Sequence, residues 1–303
     1  MTVQALRSML FTPGNRTDLM AKAMASSADA VIVDLEDAVP RESKADARRN
    51  LADLPASRML VYVRVNGAET EFLWQDVVAA GQAGVAGIVL PKAEDPDLLR
   101  RIDGALTALE LAAGREPGST DLFPLIESAR GVHLVHDLLT SSHRIRSVLF
   151  GSGEQGDLVV DLGCEWTPDG TGLMYARSQV LLAARAAGIV TPMDAVFMDF
   201  RNLDALRTEC ELARRLGYVG KVAIHPDQLD VIHDVFTPEA DEVARQRRLL
   251  ETFEAALAKG SASINVDGRM VDYAVARMAR SVIARAEAAD RAATRNLRGP
   301  DHG

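Results

Sequence analysis

Apolar residues along this chain arrive in short, β-branched clusters separated by amphipathic, alanine-rich stretches. The clusters predict strands at SMLFT (8–12), AVIVDL (30–35), MLVYVRV (59–65), AGIVLP (86–91), DLFPLI (121–126), SVLFG (147–151), AVFMD (195–199) and KVAIH (221–225). Several are nearly unbroken apolar runs, the pattern of parallel strands covered on both faces. Between them DLMAKAMASS, ESKADARRNLADL, LWQDVVAAGQAG, DLLRRIDGALTALELAAG and ALRTECELARRLG keep a helical period. Several of these close on Gly, which tolerates the left-handed position after a helix. Eight strand–helix alternations in about 250 residues predict an α/β protein, a (β/α)8 TIM barrel, with a doubly wound open sheet as the rival. Nothing like GxGxxG follows the first strand, which weakens the dinucleotide-binding form of that rival.

The chain runs on past the eighth strand. FTPEADEVARQRRLLETFEAALAKG (236–260) predicts a helix that closes the barrel, followed by a short SINVDGRM segment and a second helix, VDYAVARMARSVIARAEAADRAATR. A surplus helix with a partly apolar face needs something to cover it. The expected organisation is a barrel domain over 1–260, a C-terminal helical arm over 261–295 packing on a neighbouring subunit, and a disordered tail over 296–303.

Composition narrows the partners. The 303 residues are 48% hydrophobic and 25% charged, which suits a soluble globular protein with a real core. Lys plus Arg number 34 against 43 Asp plus Glu, and the net charge of −9 argues against nucleic acid or an anionic membrane as the main partner. A small anion remains admissible, because a few local arginines can outweigh the global field. Cys164 and Cys210 have no CxxC spacing, so neither a disulfide scaffold nor a zinc site is indicated. MTVQALRSMLFTPG reaches a Pro-Gly turn before a signal-peptide core can form, and no apolar run approaches membrane-spanning length. The cytoplasm is the expected compartment.

In a barrel of this type, the polar residues just beyond the C-terminal ends of the strands carry the chemistry. Strand 1 leads into TPGNR with Arg16, strand 2 into DLEDAV with Glu36 and Asp37, strand 3 into VRVNG with Arg64, and strand 4 into PKAED with Lys92. Strand 5 runs into IESARG with Glu127, strand 6 into FGSGEQGDLVVDLG with Glu154, Asp157 and Asp161, and strand 8 ends at His225-Pro226. Carboxylates converging without His or Cys suit a hard divalent cation such as Mg²⁺, which takes one or two of them and completes its octahedron with water and substrate oxygens. With arginine nearby, such an ion can stabilise an enolate or a carboxylate.

Each residue also has a plainer reading. Arg64 is equally readable as a structural salt bridge to Glu36 or Asp37, and Asp157 as the N-cap of the LVVDLG helix. Lys92 is readable as a Schiff-base lysine, although neighbouring carboxylates favour a protonated ammonium. His225 reads as a packed histidine, and His133, His136 and His143 as surface or core residues on or beside the helix after strand 5. The residues alone support a Mg²⁺-dependent barrel enzyme acting on an anionic substrate.

RSMLFTPGNR, VIVDLEDAVP, VRVNG, GIVLPKAE, PLIESARG, FGSGEQGDLVVDLG, LMYARSQVLLAARAAG, GKVAIHPDQLDVIHDVFTP and DGRMVDYAVARMAR occur in that order. From about residue 7 to 288 the chain thereby resembles the citrate lyase beta subunit-like family, within the wider group of malyl-CoA, citramalyl-CoA and HpcH/HpaI-type aldolases. The resemblance implies a Mg²⁺-dependent carbon–carbon lyase that cleaves, or in reverse condenses, a 3-hydroxyacyl-CoA thioester such as citramalyl-CoA or malyl-CoA. The products would be acetyl-CoA and a 2-oxo acid. It implies Glu127 and Asp157 as metal ligands, with Glu36 and Asp37 receiving metal-bound waters or orienting Arg64. Arg64 would hold the substrate and steady the enolate oxygen. Substrate contacts would fall to Arg64, Glu127, Arg16 and Lys44, the last two near the CoA phosphates. Asp272 would reach into a neighbour's active site for proton transfer, making a homo-oligomer, trimer or hexamer, part of catalysis.

Two departures stand out from the pattern. GSGEQGDL is longer than the F-G-x-E-D-L common among relatives, which would let Glu154 replace Asp157 as ligand. M-V-D-Y stands where relatives have M-I-D-M/A-P, so Asp272 is kept and a proline at the arm is lost. Three other functions remain open: a malyl-CoA-type thioesterase, the beta subunit of a multi-subunit citrate lyase acting on an acyl-carrier thioester, and a catalytically silent CoA-binding protein.

Overall fold

A computed structural model of the chain describes residues 6–54 and 59–297, the side chains of 295–297 excepted. The first half alternates strictly. It runs β1 (Ser8–Pro13), α1 (Thr17–Met24), β2 (Ala30–Asp34), α2 (Lys44–Asn50), β3 (Leu60–Arg64), α3 (Leu73–Ala83), β4 (Gly87–Leu90), α4 (Pro96–Ala112) and β5 (Asp121–Ile126). Two short helices, α5 (Ala129–His133) and α6 (Val135–Leu139), lead to β6 (Leu149–Phe150), α7 (Asp157–Leu162) and α8 (Met174–Ala186). Then come β7 (Met193–Asp194), α9 (Leu203–Leu216), β8 (Gly220–Ala223) and α10 (Leu229–Phe236). Eight parallel strands in sequence order form a closed barrel, β8 pairing with β1 through Lys221 opposite Ser8 and Val222 opposite Met9.

Alternation along each strand makes two apolar layers. Met9, Ile32, Tyr62, Phe123, Leu149 and Val222 point inward and fill the barrel, with Tyr62 stacked on Phe123 at 4.8 Å between ring centroids. Leu10, Val33, Val63, Ile88 and Phe150 point outward and pack under the helices. This double coverage is why the strands read as continuous apolar runs. Gly87 opens β4 because a Cβ there would lie 2.7 Å from the Tyr62 ring.

The seventh strand lies earlier than the pattern predicts. It is Met193–Asp194, not 195–199; Leu149 pairs with Met193 and Phe150 with Asp194. The strand carries a charge, which hides it from an apolar-run reading. Asp194 is fully buried on the outer face, where Lys221 Nζ donates to Oδ2 at 2.7 Å and Arg177 Nε donates to Oδ1 at 3.2 Å. The apolar run that follows belongs to the barrel mouth.

The helix that closes the barrel is also not the expected one. α10 packs against β8, β1 and α9, whereas α11 (Ala240–Leu257) packs mainly on α12 (Tyr273–Leu297). Between those two lies an antiparallel hairpin, β9 (Ile264–Val266) and β10 (Arg269–Val271). Leu250, Phe253, Val271, Ala276 and Ala279 form a small core of their own. The arm thus begins at α11 rather than at 261. Residues 296 and 297 continue α12, and the rest of the expected tail lies outside the described residues. No helix among the described residues is long and apolar enough to cross a membrane, and both cysteines are free thiols.

Candidate active site

At the C-terminal end of the barrel opens a cavity of about 580 Å³, with Phe11, Asp34, Asp37, Arg64, Glu127 and Asp157 among its lining. Arg64 is clamped at one side. Its Nε donates to Asp34 Oδ1 and its Nη2 to Asp34 Oδ2, both at 2.7 Å, and the guanidinium carbon lies 4.8 Å over the Phe11 ring. Such a bidentate pair fixes the plane of the guanidinium and leaves its remaining N–H groups for the cavity. Nη1 faces Glu36 Oε2 at 3.0 Å and Asp37 Oδ2 at 3.5 Å. Burial works against the Asp34 charge, but Arg64 and the amides of Glu36 and Ala38 outweigh it and hold the carboxyl below its ordinary value.

The acidic turn after β2 is pinned from beneath. Lys44 is buried, and its Nζ donates to the carbonyls of Leu35 at 2.8 Å and Glu36 at 2.9 Å. Asn66 Nδ2 also donates to the Leu35 carbonyl, at 2.9 Å. This corrects the expectation that Lys44 meets CoA phosphates: its ammonium is spent inside the protein, shaping the turn that carries Glu36. Arg16 is exposed and paired with Asp18 at 2.8 Å.

Glu127 follows β5 directly, immediately before Ser128, whose Oγ accepts from Gly131 N at 3.0 Å and caps α5. The Lys92 amide donates to Glu127 Oε1 at 2.9 Å. Gly151 lets β6 end against this glutamate, since a Cβ there would lie 2.6 Å from the Glu127 Cβ. Asp157 opens α7 and its Oδ1 lies 3.0 Å from Lys92 Nζ. One turn on, Asp161 Oδ2 accepts from the Ala129 amide at 2.6 Å, tying Asp157's helix to the residue two beyond Glu127.

The capping reading of Asp157 does not hold, because Gly156 occupies that position without a side-chain bond. Glu154 is exposed and absent from the cavity lining, whereas Asp157 lines it, so the longer loop leaves Asp157 in place. The Asp157 ion pair at 3.0 Å favours a protonated Lys92 over a Schiff-base amine. Partial burial opposes its charge, but Asp157, Glu127 and Glu36 hold the ammonium above its ordinary value. His225 stacks on Phe200 at 4.5 Å, and its Nδ1 accepts from the Asp227 amide; His133, His136 and His143 are exposed.

The cavity concentrates uncompensated negative charge. Burial, with Asp157 nearby, pushes the Glu127 carboxyl up to about 7 against the Lys92 amide and Arg64. Burial, with Asp37, Glu127 and Asp34, pushes Glu36 up to about 8 against Arg64. Glu36 Oε2 is buried, and its 3.0 Å approach to Arg64 Nη1 is an ion pair without hydrogen-bond geometry. A cation among these oxygens would favour their charged forms. Among the described residues no three His, Cys, Asp or Glu side chains converge as a ready cage for a metal. Two carboxylates with open positions fit Mg²⁺, which keeps several waters, better than a transition metal that wants nitrogen or sulfur.

The family model for the HpcH/HpaI aldolase/citrate lyase matches residues 7–226. The chain belongs to that family. It is 36% identical to the citrate lyase subunit beta of Escherichia coli (strain K12), over 93% of each chain. It is 34% identical to an L-malyl-CoA/beta-methylmalyl-CoA lyase of Cereibacter sphaeroides, over 93% of this chain and 94% of that one. Among solved structures, the CitE protein of Mycobacterium tuberculosis in complex with magnesium, acetoacetate and coenzyme A superposes with a TM-score of 0.74 at 30% identity. That match covers 93% of this chain and 98% of the other.

Of the residues singled out from the family motifs, Arg64, Glu127, Asp157, Glu36 and Asp37 come together at one mouth. Asp272 does not join them within the chain. Its Oδ1 caps α12, accepting from the amides of Ala274 and Val275, and the cavity lining ends at Ile224. Two buried supports were missed. One is Asp34, quoted within the DLED motif but given no role. The other is the Arg177, Asp194, Glu209 and Lys221 cluster, to which Ser152 at the start of the Asp157 loop donates at 3.2 Å. Lone charges inside strands, Asp194 and Lys221, were the available signal.

Proposed function

We propose that this protein is a Mg²⁺-dependent carbon–carbon lyase that cleaves a 3-hydroxyacyl-CoA thioester, of the citramalyl-CoA or malyl-CoA kind, into acetyl-CoA and a 2-oxo acid, or condenses them in reverse. The observation that carries this reading is the meeting of Glu127, Asp157 and an Asp34-clamped Arg64 in one cavity at the barrel's C-terminal end. Glu127 and Asp157 would hold the ion, and Glu36 and Asp37 would receive its waters. Bound there, Mg²⁺ supplies a Lewis acid for the substrate's carboxylate and hydroxyl oxygens. Arg64, unable to lose its proton and fixed in plane, offers N–H groups to the oxygen that gains charge as the carbon–carbon bond breaks. Phe11, whose ring lies 4.8 Å from the guanidinium carbon, keeps that part of the cavity apolar, where the guanidinium acts more strongly than in water. Asp272 of another subunit would protonate the departing acyl-CoA enolate, or abstract the α-proton in condensation. On this reading the enzyme is a cytoplasmic homo-oligomer, a trimer or hexamer, with Arg16 near the CoA phosphates.

The identity to citrate lyase subunit beta favours a second reading, in which the thioester is carried by an acyl-carrier protein. The test is incubation of the protein and Mg²⁺ with malyl-CoA, citramalyl-CoA and 3-hydroxy-3-methylglutaryl-CoA, with products identified by mass. Acetyl-CoA with a 2-oxo acid supports the lyase. Free CoA with the intact hydroxy acid means a thioesterase, turnover only with a carrier protein means the lyase subunit, and no turnover means a silent binder.

A further inference from the structure

Lys92 occupies an unusual place in the site. Its backbone φ is +44°, a left-handed conformation rare for a side chain of this size, at the turn leaving β4. Glycine is the residue that takes such a turn without cost. The lysine in its place makes two contacts with the two carboxylates assigned to the ion. The amide, aimed by that turn, donates to Glu127 Oε1 at 2.9 Å, and the ammonium lies 3.0 Å from Asp157 Oδ1. One residue therefore orients one carboxylate with its backbone and neutralises the other with its side chain.

We propose that Lys92 sets the metal affinity of this site, its ammonium holding Asp157 where the divalent cation must bind, so that cation and ammonium compete for one carboxylate. The proposal rests on the assignment of Glu127 and Asp157 as the ligand pair. Its chemistry is an exchange of partners. On metal binding the Asp157 oxygen leaves the ammonium for the ion, and the lysine, with 40% of its side chain exposed, turns to solvent or to the substrate's anionic groups. In the metal-free protein the same contact keeps Asp157 at the cavity wall, so the site stays assembled. A half-exposed pair of this kind contributes little, so the competition is modest and the site stays loadable. The amide contact to Glu127 is independent of the side chain and survives any replacement that keeps the turn.

The test is direct titration of the purified full-length protein with Mg²⁺ by calorimetry and with Mn²⁺ by electron paramagnetic resonance, without substrate. Lys92→Met and Lys92→Gly should each bind the ion about two- to fivefold more tightly, the range expected when a half-exposed competing pair is removed. Lys92→Arg, which keeps the cation, should bind it as the parent does. The glycine variant takes the left-handed turn freely, so it keeps the amide on Glu127 and covers the case in which the methionine variant folds poorly. Asp157→Asn should weaken binding at least about tenfold. If Asp157→Asn leaves affinity unchanged, the ligand assignment fails. If it weakens binding while removal of the ammonium leaves affinity unchanged or lower, the competition is refuted and the assignment stands.

Discussion

Arg64 and Asp34 form a two-pronged pair, Nε to Oδ1 and Nη2 to Oδ2 both at 2.7 Å, across the neighbouring ends of β3 and β2. The acid at the end of the second strand therefore holds an arginine rather than a metal, and it sets which edge of the guanidinium faces the cavity. Asp34→Asn should cost about 3 kcal/mol of stability, because it leaves a largely buried guanidinium short of its counter-charge. It should also lower kcat/KM more than tenfold, since Arg64 is no longer aimed. Urea unfolding and steady-state kinetics check both, and an unchanged midpoint with unchanged turnover would remove Asp34 from this role.

Lys44 makes a second claim about aim. With its ammonium on the carbonyls of Leu35 and Glu36, Lys44→Met removes two charge-assisted hydrogen bonds, at about 1.5 kcal/mol, while Leu35 keeps the Asn66 side chain and Glu36 the Val39 amide. The expected outcome is a lower unfolding midpoint and a reduced kcat, with KM for the acyl-CoA little changed. A phosphate contact would do the reverse, raising KM and sparing stability. The kcat and KM pattern, with thermal unfolding on the same samples, distinguishes the two.

Glu127→Gln keeps the shape of the side chain and an oxygen for the Lys92 amide. The variant should fold as the parent does, by circular dichroism, and its metal-free stability should not fall. Mg²⁺ affinity measured by calorimetry should drop at least about tenfold, with loss of turnover. Undiminished metal binding would place the ion elsewhere.

The barrel was legible because its strands are buried on both faces, so seven of the eight show as apolar runs. The exception is instructive. β7 is two residues long and carries Asp194, whose charge is matched by Arg177 and Lys221 from distant parts of the chain. Pairing of that kind is a tertiary fact, invisible to a local pattern. The same holds for Lys44: a lysine's type and position suggest a surface cation, and only folding shows its amine turned onto two carbonyls. Arg64 and Glu127 were legible because the one ends β3 and the other directly follows β5, where the barrel's geometry fixes their direction, and Asp157 because it opens the helix after β6. α10 was passed over because its eight residues follow β8 after only a short turn, although Leu229, Ile232 and Phe236 already carry a helical spacing.

Far from the mouth, Arg144 is fully buried and donates to Glu110 Oε1 at 2.7 Å and Oε2 at 2.8 Å, while the Gly118 and Thr120 amides donate to the same carboxylate. Burial opposes the Glu110 charge, but these donors outweigh it and hold the carboxyl well below its ordinary value. A group lowered on folding contributes stability that is present above its unfolded pKa of about 4.3 and is lost as pH falls through the folded value. Glu110→Gln should therefore be most destabilised relative to the parent near neutral pH. The gap should narrow as both are taken below about pH 4, as read from urea unfolding at a series of pH values. A gap that stays constant with pH would mean the carboxylate's charge is not what Arg144 needs.

Asp272 lies on the arm, outside the cavity of its own chain. Met270, Tyr273 and Met278 beside it are exposed apolar side chains, 71%, 51% and 61% accessible, an arrangement that suits a surface covered by another copy. If the aspartate serves a neighbour, a site needs Glu127 from one chain and Asp272 from another. Glu127→Gln and Asp272→Asn should each be inactive alone. Co-expressed and randomly mixed in a closed ring, they should recover about a quarter of parental activity, because a quarter of the sites then draw both intact residues. Separately tagged chains purified through both tags give the measurement, and because that step discards unmixed rings the expected recovery in a trimer rises to about a third. An inactive mixed oligomer would confine Asp272 to its own chain, where it only caps a helix.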